Sequence, residues 1–176
     1  MIYTDFEELL YENLSDLNKL QTMIDNLLGN KLNQKYIQQG SYLTNYFIIR
    51  ACGTIEQCLK TLFYCHFKDG TTNQFVLNYL EKTLITKNSK NPSKNMIYST
   101  ITMFDDSRKF KDELKNISNI NLTAVFQHLD SLRNLRNQIA HGDKVTTVFS
   151  DVTTYVDSCV ILTLEIKNTL KLQYGN

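Results

Sequence analysis

The chain has 176 residues, 42% of them hydrophobic and 21% charged, which is the composition of an ordinary globular domain and excludes a disordered or fibrous polypeptide. That length suits one domain, residues 1–176, with a core large enough to need no disulfide staples. Lys and Arg number 19 against 18 Asp and Glu, a net charge of +1, so any hold on nucleic acid must come from a local basic patch.

There is one proline and there are six glycines, and apolar residues recur at three- and four-residue spacing almost everywhere, the period of helices rather than strands. A first helix is expected from residue 4 to about 28, with Phe6, Leu9, Leu10, Leu14, Leu17, Leu20, Ile24 and Leu27 on one face, ending at Gly29-Asn30. A polar connector through Gly40 leads to Ser41 as a cap and to a long apolar helix over residues 42–67, the expected centre of the molecule, stopped by Asp69-Gly70. Tyr42, Tyr46 and Tyr64 read as core or dimer-interface aromatics.

A shorter helix is expected over residues 73–84. The run 87–95 is polar and basic and holds the one proline, so it reads as a loop whose three lysines either steer a polyanion or are simply solvated. Asn95 or Ser93 caps a segment over 96–104, a further short helix covers 107–114, and residues 116–121 form an Asn-rich bend. Helices then follow at 122–138 and 144–172, the last with Val152, Tyr155, Val156, Cys159, Val160, Thr163, Ile166 and Leu170 as its buried stripe. The expected fold is all-α, a bundle of four to five long helices with some short ones.

Cys52, Cys58, Cys65 and Cys159 lie in apolar stretches without the paired close spacing of a zinc or redox site, so they read as buried thiols, with no metal and no cofactor implied. The first residues are acidic where a secretion signal is basic, and no apolar run reaches the ~18 residues of a membrane span. A cytoplasmic protein, away from membranes, is expected.

On a helical wheel Leu122, Val125, Phe126, Leu129 and Leu132 make an apolar face, and Arg136 falls near its centre. A guanidinium in that position must meet a carboxylate, reach a cleft holding water or ligand, or lie between subunits. Five residues on comes His141, then Gly142, able to take the positive backbone angle that ends a helix, with Asp143 placed to cap the next helix. An arginine fork that stabilises charge on phosphoryl oxygens, beside an imidazole that exchanges protons near neutral pH, suits phosphoryl chemistry. In RNA the 2′-hydroxyl supplies a nucleophile and no metal is needed. The same two residue types also fit a salt-bridged turn with no activity. Arg133, one turn before Asn137, is an accessory candidate for RNA phosphates or a solvated surface cation. His66 reads as a partly buried histidine bonded to backbone, and His128 as facing away from Leu129 and Leu132.

The string Leu135-Arg136-Asn137-Gln138-Ile139-Ala140-His141-Gly142 resembles the signature of the HEPN family of helical domains. The helix around 51–60, the segment 91–114 and the last helix are similar to its RiboL-PSP branch, over roughly residues 42–172, leaving the helix and connector of residues 1–40 outside the resemblance. The resemblance implies a metal-independent endoribonuclease of toxin–antitoxin or antiviral defence systems, a homodimer joining two motifs in a composite active site. A cognate antitoxin or defence-system protein is the implied partner, and RNA the substrate. By the same likeness Arg136 binds the scissile phosphate, His141 does acid–base work, Asn137 orients one of them or the phosphate, and Glu56 pairs with Arg136 or holds His141. HEPN toxins silenced by nucleotide transfer carry tyrosine two residues after the histidine; Asp143 stands here, so the likeness does not extend to that silencing. Two other readings stand beside the ribonuclease: a non-catalytic HEPN module that dimerises or binds a nucleotide or partner, and a purely structural bundle with Arg136 neutralised by Glu56.

Overall fold

The computed structural model describes residues 2–29, 34–86, 91–104, 107–117 and 120–174. Among them seven α-helices follow one another: α1 (Thr4–Gly29), α2 (Gln34–Lys68), α3 (Gln74–Leu80), α4 (Lys94–Thr102), α5 (Ser107–Ile117), α6 (Leu122–Ala140) and α7 (Phe149–Tyr174). A π-helical segment, Glu81–Thr86, continues directly from α3. Among the described residues there is no strand, and the all-α bundle expected from periodicity is the fold.

Several ends are set by side chains that satisfy otherwise orphaned N–H groups. Asn73 Oδ1 accepts from Phe75 N–H at 2.9 Å, Ser93 Oγ from Met96 N–H at 3.1 Å, and Asn121 Oδ1 from Ala124 N–H at 3.2 Å. Ser93, rather than Asn95, is therefore the cap of α4, which begins at Lys94. Helix α5 continues to Ile117, into the stretch expected to bend, whose residues 118 and 119 lie outside the described residues. So do residues 87–90 of the basic loop.

Helix α2 is the shared partner: α1, α6, α7 and the π-helical segment all pack on it. Its buried side is built from Phe47, Ile48, Ala51, Cys52, Ile55, Cys58, Leu59, Leu62 and Phe63. Helix α1 runs antiparallel along it, as three contacts show: Leu28 lies at Gly40, Asn13 at Arg50 and Thr54, and Tyr3 at His66. Helix α7 runs parallel, Phe149 meeting Phe47 edge-on with ring centres 5.2 Å apart.

Two expected boundaries move, for reasons visible in the packing. Helix α2 starts at Gln34, so Gly40 and Ser41 lie inside it and Ser41 is no cap. Gly40 is there because α1 comes close: a Cβ at that position would stand 2.6 Å from Leu28 Cδ2. Helix α7 starts at Phe149 rather than near residue 144. The β-branched run Thr146-Thr147-Val148 is a poor helix start, and the first turn forms where Phe149 docks on Phe47. Asp143 therefore does not cap α7; the carbonyl of Val148 receives Asp151 and Val152 N–H instead. On α7 the stripe also includes Leu162 and Thr169, whereas Tyr155 and Val160 are only half-buried. Tyr42 and Tyr46 are exposed and outside the core, and Tyr64 is half-buried with Lys68 over its ring.

The α1–α2 seam holds a buried polar knot. Asn13 Nδ2 donates to the Leu9 carbonyl at 2.8 Å, and its Oδ1 accepts from Arg50 Nη2 at 3.0 Å and Thr54 Oγ1 at 3.3 Å. Asn13→Ala leaves the buried Thr54 hydroxyl without that acceptor and is expected to lower unfolding free energy by about 1–3 kcal/mol in urea titrations, with the helical spectrum unchanged.

The four cysteines are free and buried. Burial pushes Cys52 up to about 11 and Cys58 and Cys159 up to about 12, and raises Cys65 as well. A thiol of the unfolded chain ionises near 9, so above that pH the unfolded state sheds protons the folded state keeps, and stability present below pH 9 is lost as pH rises. The expected loss is on the order of 1 kcal/mol per thiol for each pH unit above 9, read from urea midpoints at stepped pH. A thiol reagent should label the native chain far more slowly than the unfolded one.

Candidate active site

Helix α6 buries Val125, Phe126, Leu129, Leu132 and Leu135 and carries Arg136 and Asn137 half-buried at the edge of that face. It ends in a Schellman motif: Gly142 N–H donates to the Ile139 carbonyl at 3.0 Å and Asp143 N–H to the Gln138 carbonyl at 2.9 Å. Gly142 has φ +83°, the left-handed conformation that glycine adopts without a Cβ penalty. His141 is the C-cap, and its side chain is exposed. Its imidazole makes no hydrogen bond or ion pair with the described residues.

Arg136 Nη1 donates to Asn137 Oδ1 at 3.3 Å, and Asn91 Nδ2 donates to the same oxygen at 2.9 Å. Arginine can only donate, so the Asn137 atom facing it is the carbonyl oxygen, and the Asn137 NH2 group stays available as a donor. The remaining guanidinium donors of Arg136 likewise have no partner among the described residues. The site thus offers several N–H donors and a guanidinium charge that can bind an oxyanion, with an exposed imidazole that can exchange a proton five residues further along the chain.

Glu56 does not neutralise Arg136. Its carboxylate Oε1 accepts from Lys60 Nζ at 2.6 Å, one turn further along α2, with both side chains largely covered. Among the described residues no carboxylate forms an ion pair with Arg136, which removes the contact on which a purely structural role was based. Glu56 still lies close to the site. The Cys52 thiol, raised by burial, is pulled back down by Arg136, pushed up by Glu56 and pulled down by Arg133, so these three charges surround one position on α2. Arg133 is half-buried and its guanidinium pairs with Asp130 at 3.0 Å.

The other histidines are elsewhere. His66 Nδ1 meets the Tyr3 hydroxyl at 2.9 Å, and burial holds its pKa below the ordinary histidine value. His128 Nδ1 meets Ser158 Oγ at 2.8 Å and its ring lies against Tyr155, tying α6 to α7. Reasoning from sequence missed Asn91, which arrives from 46 positions away beside the buried Pro92 and the α4 cap. Nothing local marks it.

The bundle and its α6 end define a class: a helical domain carrying arginine, asparagine and histidine at one helix terminus. The chain belongs to the RiboL-PSP-HEPN family, whose family model matches residues 8–172. The match begins within α1, so it includes most of the first helix, which lay outside the resemblance read from sequence. Neither the curated proteins nor the solved structures yield a match to this chain. No helix among the described residues is long and apolar enough to cross a membrane.

Asn91→Ala is expected to lower unfolding free energy by about 0.5–1.5 kcal/mol, the usual net value of one such hydrogen bond. Because Asn91 bonds to Asn137, adding Asn91→Ala to Asn137→Ala should cost little further, and urea unfolding of the two singles and the double checks this.

Proposed function

We propose that the chain is a metal-independent endoribonuclease of the HEPN type, acting in the cytoplasm as a toxin or antiviral-defence effector. The observation that supports this reading most is the Arg136–Asn137–Asn91 set, whose outward donors remain unpaired among the described residues next to the exposed His141 imidazole. Donors held in place before substrate arrives are the arrangement that stabilises charge building on a phosphoryl group. A half-buried guanidinium offered to an anion rather than a carboxylate also explains why an arginine at this position is compatible with a stable helix.

In this reading Arg136 and the Asn137 NH2 group bind the scissile phosphate. The 2′-oxygen of the preceding ribose attacks phosphorus while its proton passes to one His141 imidazole. The bond from phosphorus to the 5′-oxygen breaks, and that oxygen takes a proton from a second imidazole, giving a 2′,3′-cyclic phosphate and a 5′-hydroxyl. The second imidazole comes from another copy of the chain, so the working form is a homodimer with a composite cleft. The exposed Tyr42 and Tyr46 on α2 are available to such a contact. Arg133 acts as an accessory residue beside the phosphate and Glu56, held by Lys60, as one further along α2, and an antitoxin or defence partner restrains the activity.

The test is cleavage of mixed single-stranded RNA in excess chelator. The parent is expected to cleave, and Arg136→Ala and His141→Ala, each with an unchanged melting temperature, to be slower by about 10²-fold or more. RNA left intact by the parent, purified free of partners, would overturn the reading. Nucleotide retained by that protein would then favour the non-catalytic binding module.

A further inference from the structure

An open cleft of about 300 Å³ lies on α2, lined by Gly53, Glu56, Gln57, Lys60 and Thr61, with Ile85 of the π-helical segment as its opposite wall. It lies on the helix against which α6 packs. Cys52, on which the Arg136 charge acts, is one turn before Glu56, a separation of about 6 Å along the helix axis. Ile85 is also only six positions before Asn91, whose amide holds Asn137.

Gly53 is the second observation. It is exposed in the interior of a 35-residue helix, where glycine costs roughly 1 kcal/mol relative to alanine. At Gly40 the close approach of Leu28 accounts for the residue, but a Cβ at Gly53 would meet nothing within 4 Å. Among the described residues nothing requires glycine there. Its effect is to leave the mouth of the cleft open and the α2 backbone reachable.

The lining also indicates what fits. Lys60 and Glu56 form a tight pair with side chains 13% and 21% exposed, so their charges cancel and the cleft gives no net attraction to phosphate. A neutral planar group suits it better. Glu56 and Lys60 place an acceptor next to a donor, Gln57 offers one of each, and the Watson–Crick edge of every nucleobase presents adjacent donors and acceptors. The volume is at the small end for ligand sites, enough for one ring system and not for a folded strand.

We propose that this cleft seats a nucleobase of the RNA strand whose phosphate is held at Arg136 and Asn137, and so sets a base preference next to the cut. This rests on the ribonuclease reading. Single-stranded RNA is recognised by splaying out a base and bonding its edge, and the cleft gives that base a place on α2, the helix against which α6 packs.

The experiment is cleavage of a randomised single-stranded RNA pool, with fragment ends sequenced, by the parent, Gly53→Ala, Gly53→Leu and Gln57→Ala, alongside melting temperature and sedimentation. The parent should prefer one base near the cut by about tenfold or more, the discrimination of one good edge contact. Gly53→Leu, which fills the mouth, should cleave with that preference reduced to about twofold while melting no lower than the parent, because a helix-interior glycine has been replaced. Gly53→Ala should melt higher and keep part of the preference, and Gln57→Ala should weaken it. Cleavage by the parent with no base preference, or a preference unchanged in Gly53→Leu, overturns the proposal and leaves the ribonuclease standing. A uniform loss of cleavage in Gly53→Leu with dissociation into monomers overturns it in favour of a contact between copies. No cleavage by the parent overturns both.

Discussion

The burial of α2 is the constraint on which the other elements depend. A helix of 35 residues with one side formed by Phe47, Ile48, Ala51, Cys52, Ile55, Leu59 and Leu62 cannot stand in water alone, and α1, α6 and α7 are the surfaces that cover it. Small residues set how close the neighbours come. Gly40 lets Leu28 of α1 approach to a distance a Cβ would not allow, and the buried side of α2 holds the small Ala51 and Cys52. The register of α1 follows from that contact, and the buried Asn13 knot then has only one partner pair within reach, Arg50 and Thr54.

The same packing decides the electrostatics of the α6 end. Arg136 reaches the edge of the apolar face and meets an amide rather than a carboxylate. A carboxylate partner would satisfy the guanidinium and cancel its charge; an amide oxygen orients it and leaves the charge in place. Glu56, the acid expected from sequence to pair with it, is occupied by Lys60. At the same helix end the Schellman turn holds His141 at the surface.

Much of the fold was legible because its causes are local. The four long helices follow from apolar periodicity, the cap at Ser93 satisfies an N–H group three residues away, and the turn at Gly142 closes α6 through bonds spanning three and five residues. Glycine misled at position 40, since it resembles a breaker in sequence and serves as a contact point between helices. The start of α7 was displaced because Phe149 docks on Phe47, a distant partner no window of sequence contains. The Glu56–Lys60 pair is local, between residues four apart on one helix, but sequence does not show whether Glu56 turns to Lys60 or to Arg136 on another helix.

The sequence by itself determined the helical class, the burial of the cysteines and the string that places arginine, asparagine and histidine at one helix end, because bonds and periodicities within a few residues decide these. Only the tertiary structure decided that Asn91 holds Asn137 across 46 positions, that Arg136 lacks a carboxylate partner among the described residues, and that a cleft opens beside Gly53. Those features exist because helices far apart in the chain share the surface of α2, and the spacing between helices is set by side-chain packing rather than by local sequence.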